Sequence, residues 1–219
     1  MWLKIDLHVH TVRSYDAYTK LEDLPRILSR RGLDGVAVTE HDVFAKFNAP
    51  EVIVIPGLEI STKDGHLIAL GIQEQIEGGL TADETIERIH EQAGLAVVPH
   101  PYDYMCPRIK LEKLNARPDA IETINASTLF FSLSKRLAEK AAEKLALPSV
   151  AGSDSHIPET IGDAYTLIEV SSTSNDNILE AIKRGRTIPC GKATSVRNRL
   201  RKLELTTLSR IFRVCQNAA

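Results

Sequence analysis

The feature that most limits what this chain can fold into is a set of short, continuously apolar runs, each ending close to a histidine or an acid. Gly35-Val-Ala-Val-Thr39 leads into Glu40-His41-Asp42, and Glu51 to Ile55 leads into Pro56-Gly-Leu-Glu59. Leu95 to Val98 leads into Pro99-His100-Pro101, and Ser149-Val-Ala-Gly152 leads into Ser153-Asp-Ser-His156. Apolar runs of this length, bounded by turn residues, read as strands buried on both faces. Residues 3–10, His66 to Leu70, Asp119 to Ile124 and, as a last strand, Tyr165 to Val170 complete the set. The Asp64-Gly65 turn before His66 predicts a hairpin with the strand that precedes it.

Helical patterns separate many of these runs. In Leu21 to Arg31, Leu24, Ile27 and Leu28 share one face, Pro25 sits in the first turn and Gly32 ends the pattern. Thr81 to Ala93 opens with a Thr81/Glu84 capping box and stops at Gly94. Ser132 to Leu145 is rich in good helix formers, and Asp176 to Arg184 is a last amphipathic helix closed by Gly185. Strand, loop and helix thus recur about seven times, which predicts an α/β fold: a mainly parallel sheet with helices outside. Over 219 residues this means a closed or nearly closed, TIM-like (β/α)7 barrel, in which functional groups collect at the C-terminal ends of the strands.

Histidines fall at those ends. Asp6-Leu-His-Val-His10 puts His8 and His10 two apart in a strand-like run, so they project to one side while Leu7 and Val9 project to the other. Two such imidazoles, roughly 6–7 Å apart along the backbone, can lean onto one metal. Of the seven histidines, His90 lies inside a predicted helix and receives no chemistry; His8, His10, His41, His66, His100 and His156 sit at strand ends. Asp6, Glu40, Asp42, Glu59, Glu122 and Asp154 do the same. So many imidazoles and carboxylates in one cleft would perturb one another strongly unless cations organised them. Nitrogen and carboxylate ligands suit zinc, manganese or iron, and the number of groups predicts more than one ion.

Taken in order, Asp6-Leu-His-Val-His-Thr11, Thr39-Glu-His-Asp42, Pro56-Gly-Leu-Glu-Ile-Ser-Thr62, His66-Leu-Ile-Ala-Leu-Gly71, Pro99-His-Pro101 and Gly152-Ser-Asp-Ser-His156 resemble the motifs of the polymerase and histidinol phosphatase (PHP) superfamily. The resemblance runs over residues 3–194 and implies a distorted (β/α)7 barrel with a trinuclear metal cluster and phosphoester hydrolysis as its activity. It implies a first metal on His8, His10, Glu59 and Asp154, a second on Glu59, His66 and His100, and a third on Asp16, His41 and His156. Glu59, Asp154 and His156 take the catalytic positions. Asp16 departs from the usual Ser-Asp-Gly, since this chain reads Ser14-Tyr-Asp-Ala17. Glu40 and Asp42 read as groups that support the ligands or their loops. Glu122 reads equally as a ligand contact or a capped strand end, and Asn125 and Ser127 as turn residues. Ser155 is a turn residue too, because no Gly-x-Ser-x-Gly elbow surrounds it.

The expected reaction is hydrolysis of a phosphate monoester, or of a nucleotide or RNA-end phosphoester, by a metal-activated water with two or three divalent ions. Arg13, Arg108 and Lys192, in loops near the motifs, are candidate phosphate clamps. Two alternatives stay open. One is a histidinol-phosphate phosphatase, although those enzymes are longer. The other is a noncatalytic barrel subunit of a ribonucleoprotein such as ribonuclease P, whose ligands are depleted.

The barrel domain is expected over residues 1–194 and a basic helical tail over 195–219. That tail holds six basic residues (Arg197, Arg199, Arg201, Lys202, Arg210 and Arg213) against Glu204, leaving −7 on the rest of a chain whose formal net charge is −2. It reads either as the solvated side of a last helix or as a holder of phosphate-rich ligands or short RNA. No apolar run approaches the roughly 20 residues of a membrane span. The first residues show no signal-peptide pattern, and Cys106, Cys190 and Cys215 form no CxxC pair. A cytoplasmic protein with free thiols is expected; the sequence sets no oligomeric state.

Overall fold

The structure is a computed structural model that describes residues 1–47 and 49–217, with side chains described through Leu208. The tail residues Arg210, Arg213 and Cys215 therefore lie outside the described side chains. The elements run β1 (Trp2–Val9), α1 (Leu24–Arg31), β2 (Gly35–His41), β3 (Ile53–Thr62), β4 (Gly65–Leu70), α2 (Ala82–Glu91), β5 (Leu95–Val98) and β6 (Ala120–Asn125). They continue α3 (Phe131–Leu145), β7 (Ser149–Gly152), β8 (Ala164–Glu169), α4 (Asn175–Lys183), β9 (Thr187–Gly191) and α5 (Val196–Asn217).

Among the described residues, nine strands form one sheet in the order β7-β6-β5-β4-β3-β2-β1-β8-β9. The ladders β1/β2, β2/β3, β5/β6 and β6/β7 are parallel, and β3/β4, β4/β5, β1/β8 and β8/β9 are antiparallel. All strands but β4 and β8 therefore point the same way. The Asp64-Gly65 turn makes the expected hairpin, with Thr62 opposite Gly65. Two expectations change. Tyr165 to Val170 is not the last strand, because the chain turns back through α4 into β9. The regular strand–loop–helix repeat also breaks, since among the described residues no α-helix joins β2 to β3, β5 to β6 or β7 to β8.

The sheet curls until β7 meets β1. The Asp154 amide donates to the His8 carbonyl at 2.8 Å, and the His10 amide donates to the Ser155 carbonyl at 2.9 Å. Hydroxyls beside this seam tie β7 to β8 and β9, with the Ala151 amide donating to Thr166 Oγ1 (2.8 Å) and Thr187 Oγ1 donating to the Ser149 carbonyl (2.9 Å). The result is a nearly closed, distorted TIM-like barrel with helices against it.

The barrel interior is apolar in one half. Leu3, Ile5, Leu7, Ala37, Ile55, Ile68, Leu70, Val97, Ala120, Val150 and Ile168 pack there with Ile178, Ala181 and Ile182 of α4. Alternation along each strand then fixes what stands in the other half. Ala37 is in phase with Thr39 and His41, Ile55 with Gly57 and Glu59, Ile68 with His66, Ala120 with Glu122, and Val150 with Gly152 and Asp154. One strand breaks phase. Leu7 belongs to the interior cluster, but Val9 packs under α1 with Leu24, Ile27 and Leu28. The β1/β2 register shifts between Asp6 and Val9, so this bulge re-aims the side chains that follow it. The expectation that Leu7 and Val9 share a side is therefore corrected.

The C-terminal segment is docked. Arg199 of α5 donates to the carbonyls of Thr194 (3.0 Å), Ser127 (2.6 Å), Ala126 (3.2 Å) and Thr128 (3.0 Å). This latch joins α5 to the loop between β6 and α3. Charged hydrogen bonds of this kind contribute about 1.5–3 kcal/mol each to stability, less where water can replace the donor. Arg199→Ala is expected to lower unfolding free energy by about 2 kcal/mol in urea melts. Arg199→Lys should recover less than half, because an ammonium cannot span the fork. Unchanged stability in Arg199→Ala would show that the latch carries no load.

Candidate metal centre

Glu59, near the end of β3, is buried at the centre of the polar half. Its two oxygens face different partners. Oε1 lies 3.1 Å from His66 Nδ1 and 3.1 Å from His100 Nε2. Oε2 lies 3.5 Å from His8 Nε2, 3.3 Å from His10 Nε2 and 3.0 Å from His41 Nδ1. Asp154, just past β7, brings Oδ1 to 3.7 Å from His8 Nε2, 3.5 Å from His10 Nε2 and 3.5 Å from His156 Nδ1. On the loop after β1, Asp16 approaches His156 Nε2 at 3.2 Å and His41 Nε2 at 3.6 Å. All nine residues expected as ligands thus meet in one pocket.

Ligand atoms lie within 4.8 Å of one another in each of three trios: His8, His10 and Glu59; Glu59, His66 and His100; and His10, His41 and His156. His10 sits between groups, its ring centroid 4.2 Å from that of His41 and 4.4 Å from that of His156. The backbone is bent to present two of the ligands. His100 (φ 32°) and Asp154 (φ 52°) both adopt left-handed conformations that residues with a Cβ rarely take.

A layer of hydrogen bonds behind the ligands orients the rings. His8 Nδ1 lies 3.0 Å from Glu122 Oε1, while Glu122 Oε2 accepts from the His100 amide (2.9 Å) and Asn125 Nδ2 (2.9 Å). Asn125 also reaches Asp154 Oδ2 (3.3 Å) and caps its own turn by accepting from the Ser127 amide (2.9 Å). Glu122 therefore supports ligands and does not end the strand idly. Ser14 Oγ donates to Glu40 Oε2 at 2.6 Å, so it accepts from His10 Nδ1 (3.2 Å) and from the His41 amide (3.0 Å). Glu40 also accepts from the amide and the hydroxyl of Thr11. His156 Nδ1 donates to the Asp154 carbonyl at 3.0 Å. These partners place a proton on Nδ1 in His8, His10 and His156, so in the neutral ring it is the Nε2 lone pair that faces the pocket.

The electrostatics are those of a cation site. Burial alone would raise Glu59, but charge on His8 and the close approach of the His10, His100 and His41 imidazoles hold its carboxyl well below the usual range. Asp154 is likewise held low, with His8 and His10 outweighing burial. Burial disfavours charge on His10, yet Asp154 and Glu59 outweigh it and raise the imidazole to about 9. Burial would also raise Asp16, but the His156 hydrogen bond, then the charges of His156, His41 and Lys202, bring it to about 2. Ionised carboxylates that draw protons onto buried imidazoles are groups a divalent cation would satisfy instead. His8 Nε2, His10 Nε2, Asp16 Oδ1 and His100 Nδ1 are buried without a hydrogen-bond partner, so the donor set fits metal ions.

The three candidate phosphate clamps are not gathered into this group. Arg13 is exposed on the loop that carries Ser14 and Asp16. Arg108 stacks on Tyr104, 4.4 Å from the ring centroid, and lines a cavity with Lys63, Asp64 and Asp83. Lys192 is exposed, and its charge acts on Asp163, whose carboxyl burial raises against the pull of Arg31 and Lys192. Lys202 of α5 does reach the pocket, and the tail's basic composition was its one signal in the sequence.

The PHP-associated family model matches residues 133–187. The uncharacterized protein MJ1587 of Methanocaldococcus jannaschii is 33% identical over 141 residues, which cover 57% of this chain and 82% of that protein. A probable phosphatase of Shewanella piezotolerans is 24% identical over 208 residues, covering 76% of this chain and 83% of that one. The crystal structure of a two-domain Bacteroides vulgatus protein, containing a predicted PHP-like metal-dependent phosphoesterase, superposes with a TM-score of 0.65 at 20% identity. It covers 88% of this chain, which spans 65% of that protein.

Proposed function

The chain belongs to the PHP superfamily, and from that premise we propose that it is a metal-dependent phosphoesterase acting on a phosphate monoester or on a nucleotide or RNA-end phosphoester. The observation that carries this reading is Glu59, whose two carboxylate oxygens are shared between separate sets of imidazole nitrogens. A bridging carboxylate with nitrogen ligands on both sides is how proteins hold neighbouring ions for phosphoryl chemistry.

His8, His10, Glu59 and Asp154 would hold one ion, Glu59, His66 and His100 a second, and Asp16, His41 and His156 a third. Zinc, manganese or iron bound there supplies Lewis acidity toward phosphoryl oxygens and lowers the pKa of water toward neutrality. The chain's own part is preorganisation. Glu122, Ser14 and the Asp154 carbonyl keep His8, His10 and His156 in the tautomer that faces the pocket. The buried walls keep bulk water from screening these groups. The full set of nine ligand positions supports an enzyme over a depleted scaffold subunit.

Chelation tests the reading. Protein stripped with a chelator is expected to lose turnover of an aryl phosphate on the order of 10³-fold and to regain it with zinc, manganese or iron. The stripped protein should also melt at a lower temperature, because ions bound only by the folded state stabilise it. Undiminished turnover in verified metal-free protein would rule the function out.

A further inference from the structure

The described part of α5 does two different jobs with neighbouring cations. Arg199 spends its guanidinium on four backbone carbonyls. Lys202, three residues on and therefore on the same side of the helix, forms no ion pair within 4.0 Å among the described residues. Both residues, with Asn198, roof a cavity of about 180 Å³ whose other walls include Ser127, Thr160 and Thr194. Asp154 and His156, two of the candidate ligands, form its floor. The half-buried Lys202 thus shares this cavity with Asp154 and His156, its charge acts on Asp16, and the Arg199 latch fixes the helix that carries it.

Taking the phosphoesterase reading as its basis, we propose that Lys202 is a specificity-determining residue that reads the second negative charge of a terminal phosphate, so that the site takes phosphate monoesters in preference to diesters. A monoester phosphate carries about −1.5 to −2 at neutral pH, whereas a diester carries a single charge. The roofed cavity is smaller than the ~300–1,000 Å³ of pockets that enclose drug-sized ligands. It is large enough to admit a phosphoryl group beside Asp154 and His156. An ammonium is also suited to a phosphate oxygen as a point charge with three donors. In the reaction the oxygen of water bonds to phosphorus and the P–O bond to the alcohol breaks. The alcohol leaves with one proton of that water, and inorganic phosphate keeps the other.

The test uses the full chain reconstituted with metal, because truncating the tail would also remove the Arg199 latch. Binding of inorganic phosphate is measured by calorimetry. Turnover is measured with p-nitrophenyl phosphate and with methyl p-nitrophenyl phosphate, which share a leaving group. Lys202→Ala is expected to weaken phosphate binding roughly tenfold and to lower kcat/KM for the monoester roughly 30-fold. It should leave the diester within about threefold, and Lys202→Arg should restore most of the monoester rate. Equal losses for both esters, or no loss for either, in variants that melt like the parent overturn the role of Lys202 alone. Parent protein that binds phosphate through Lys202 yet hydrolyses neither ester overturns the phosphoesterase reading instead.

Discussion

Glu59→Gln is expected to abolish the metal-dependent hydrolysis while leaving a folded barrel. The substitution keeps size and shape but removes the negative charge that five imidazoles face. Loss of a group that merely orients a metal ligand costs about 10–100-fold in affinity or activity. A carboxylate shared by two ion sites should cost more, on the order of 10³-fold in kcat/KM. Elemental analysis supplies a second measurement, since the variant should retain fewer metal equivalents than the parent. The buried pocket also loses the anion that balances His8 and His10, so the variant should depend less on metal for its thermal stability. Activity within about tenfold of the parent would mean that Glu59 is not shared between ions.

Gly152→Ala should damage the same centre from behind. A Cβ at this position would stand 2.3 Å from His8 Cβ, 2.9 Å from the His8 backbone nitrogen and 2.7 Å from Glu122 Oε1. Neither neighbour can yield freely. The His8 carbonyl accepts the Asp154 amide across the barrel seam, and Glu122 is tied to His8, His100 and Asn125. Overpacking of this kind costs about 1–3 kcal/mol, and the upper end is expected here because a backbone atom is among those struck. For a chain of this length that corresponds to a fall in Tm of roughly 10 °C. The shift would also part His8 from Glu122, so metal affinity should fall roughly 10–100-fold even in the fraction that folds. A variant that melts within about 2 °C of the parent with unchanged metal content would show that β7 and β1 are not packed this closely.

Much of the centre was legible because strands obey a period of two. His41, Glu59, His66 and Asp154 stand in phase with Ala37, Ile55, Ile68 and Val150, so each strand carries its apolar and its polar end on one face. The same rule misled at β1, where the bulge between Asp6 and Val9 sets Leu7 and Val9 on opposite sides of the sheet. Strand β9 escaped notice for a local reason. Thr187-Ile-Pro-Cys-Gly191 has Pro189 in its middle and no fully buried residue, and a proline inside a run argues against a strand.

By itself the amino-acid sequence indicated the barrel class and the strand ends where histidines and acids collect, because alternation, caps and turns are properties of neighbouring residues; the set of nine candidate ligands followed from its resemblance to the PHP motifs. Only the tertiary structure decided that Glu122 holds His8, that Asn125 reaches Asp154 and that α5 folds back so that Lys202 lines one cavity with Asp154 and His156. Those contacts join segments far apart in the chain. They depend on how the sheet closes and where the last helix docks, which no local periodicity encodes.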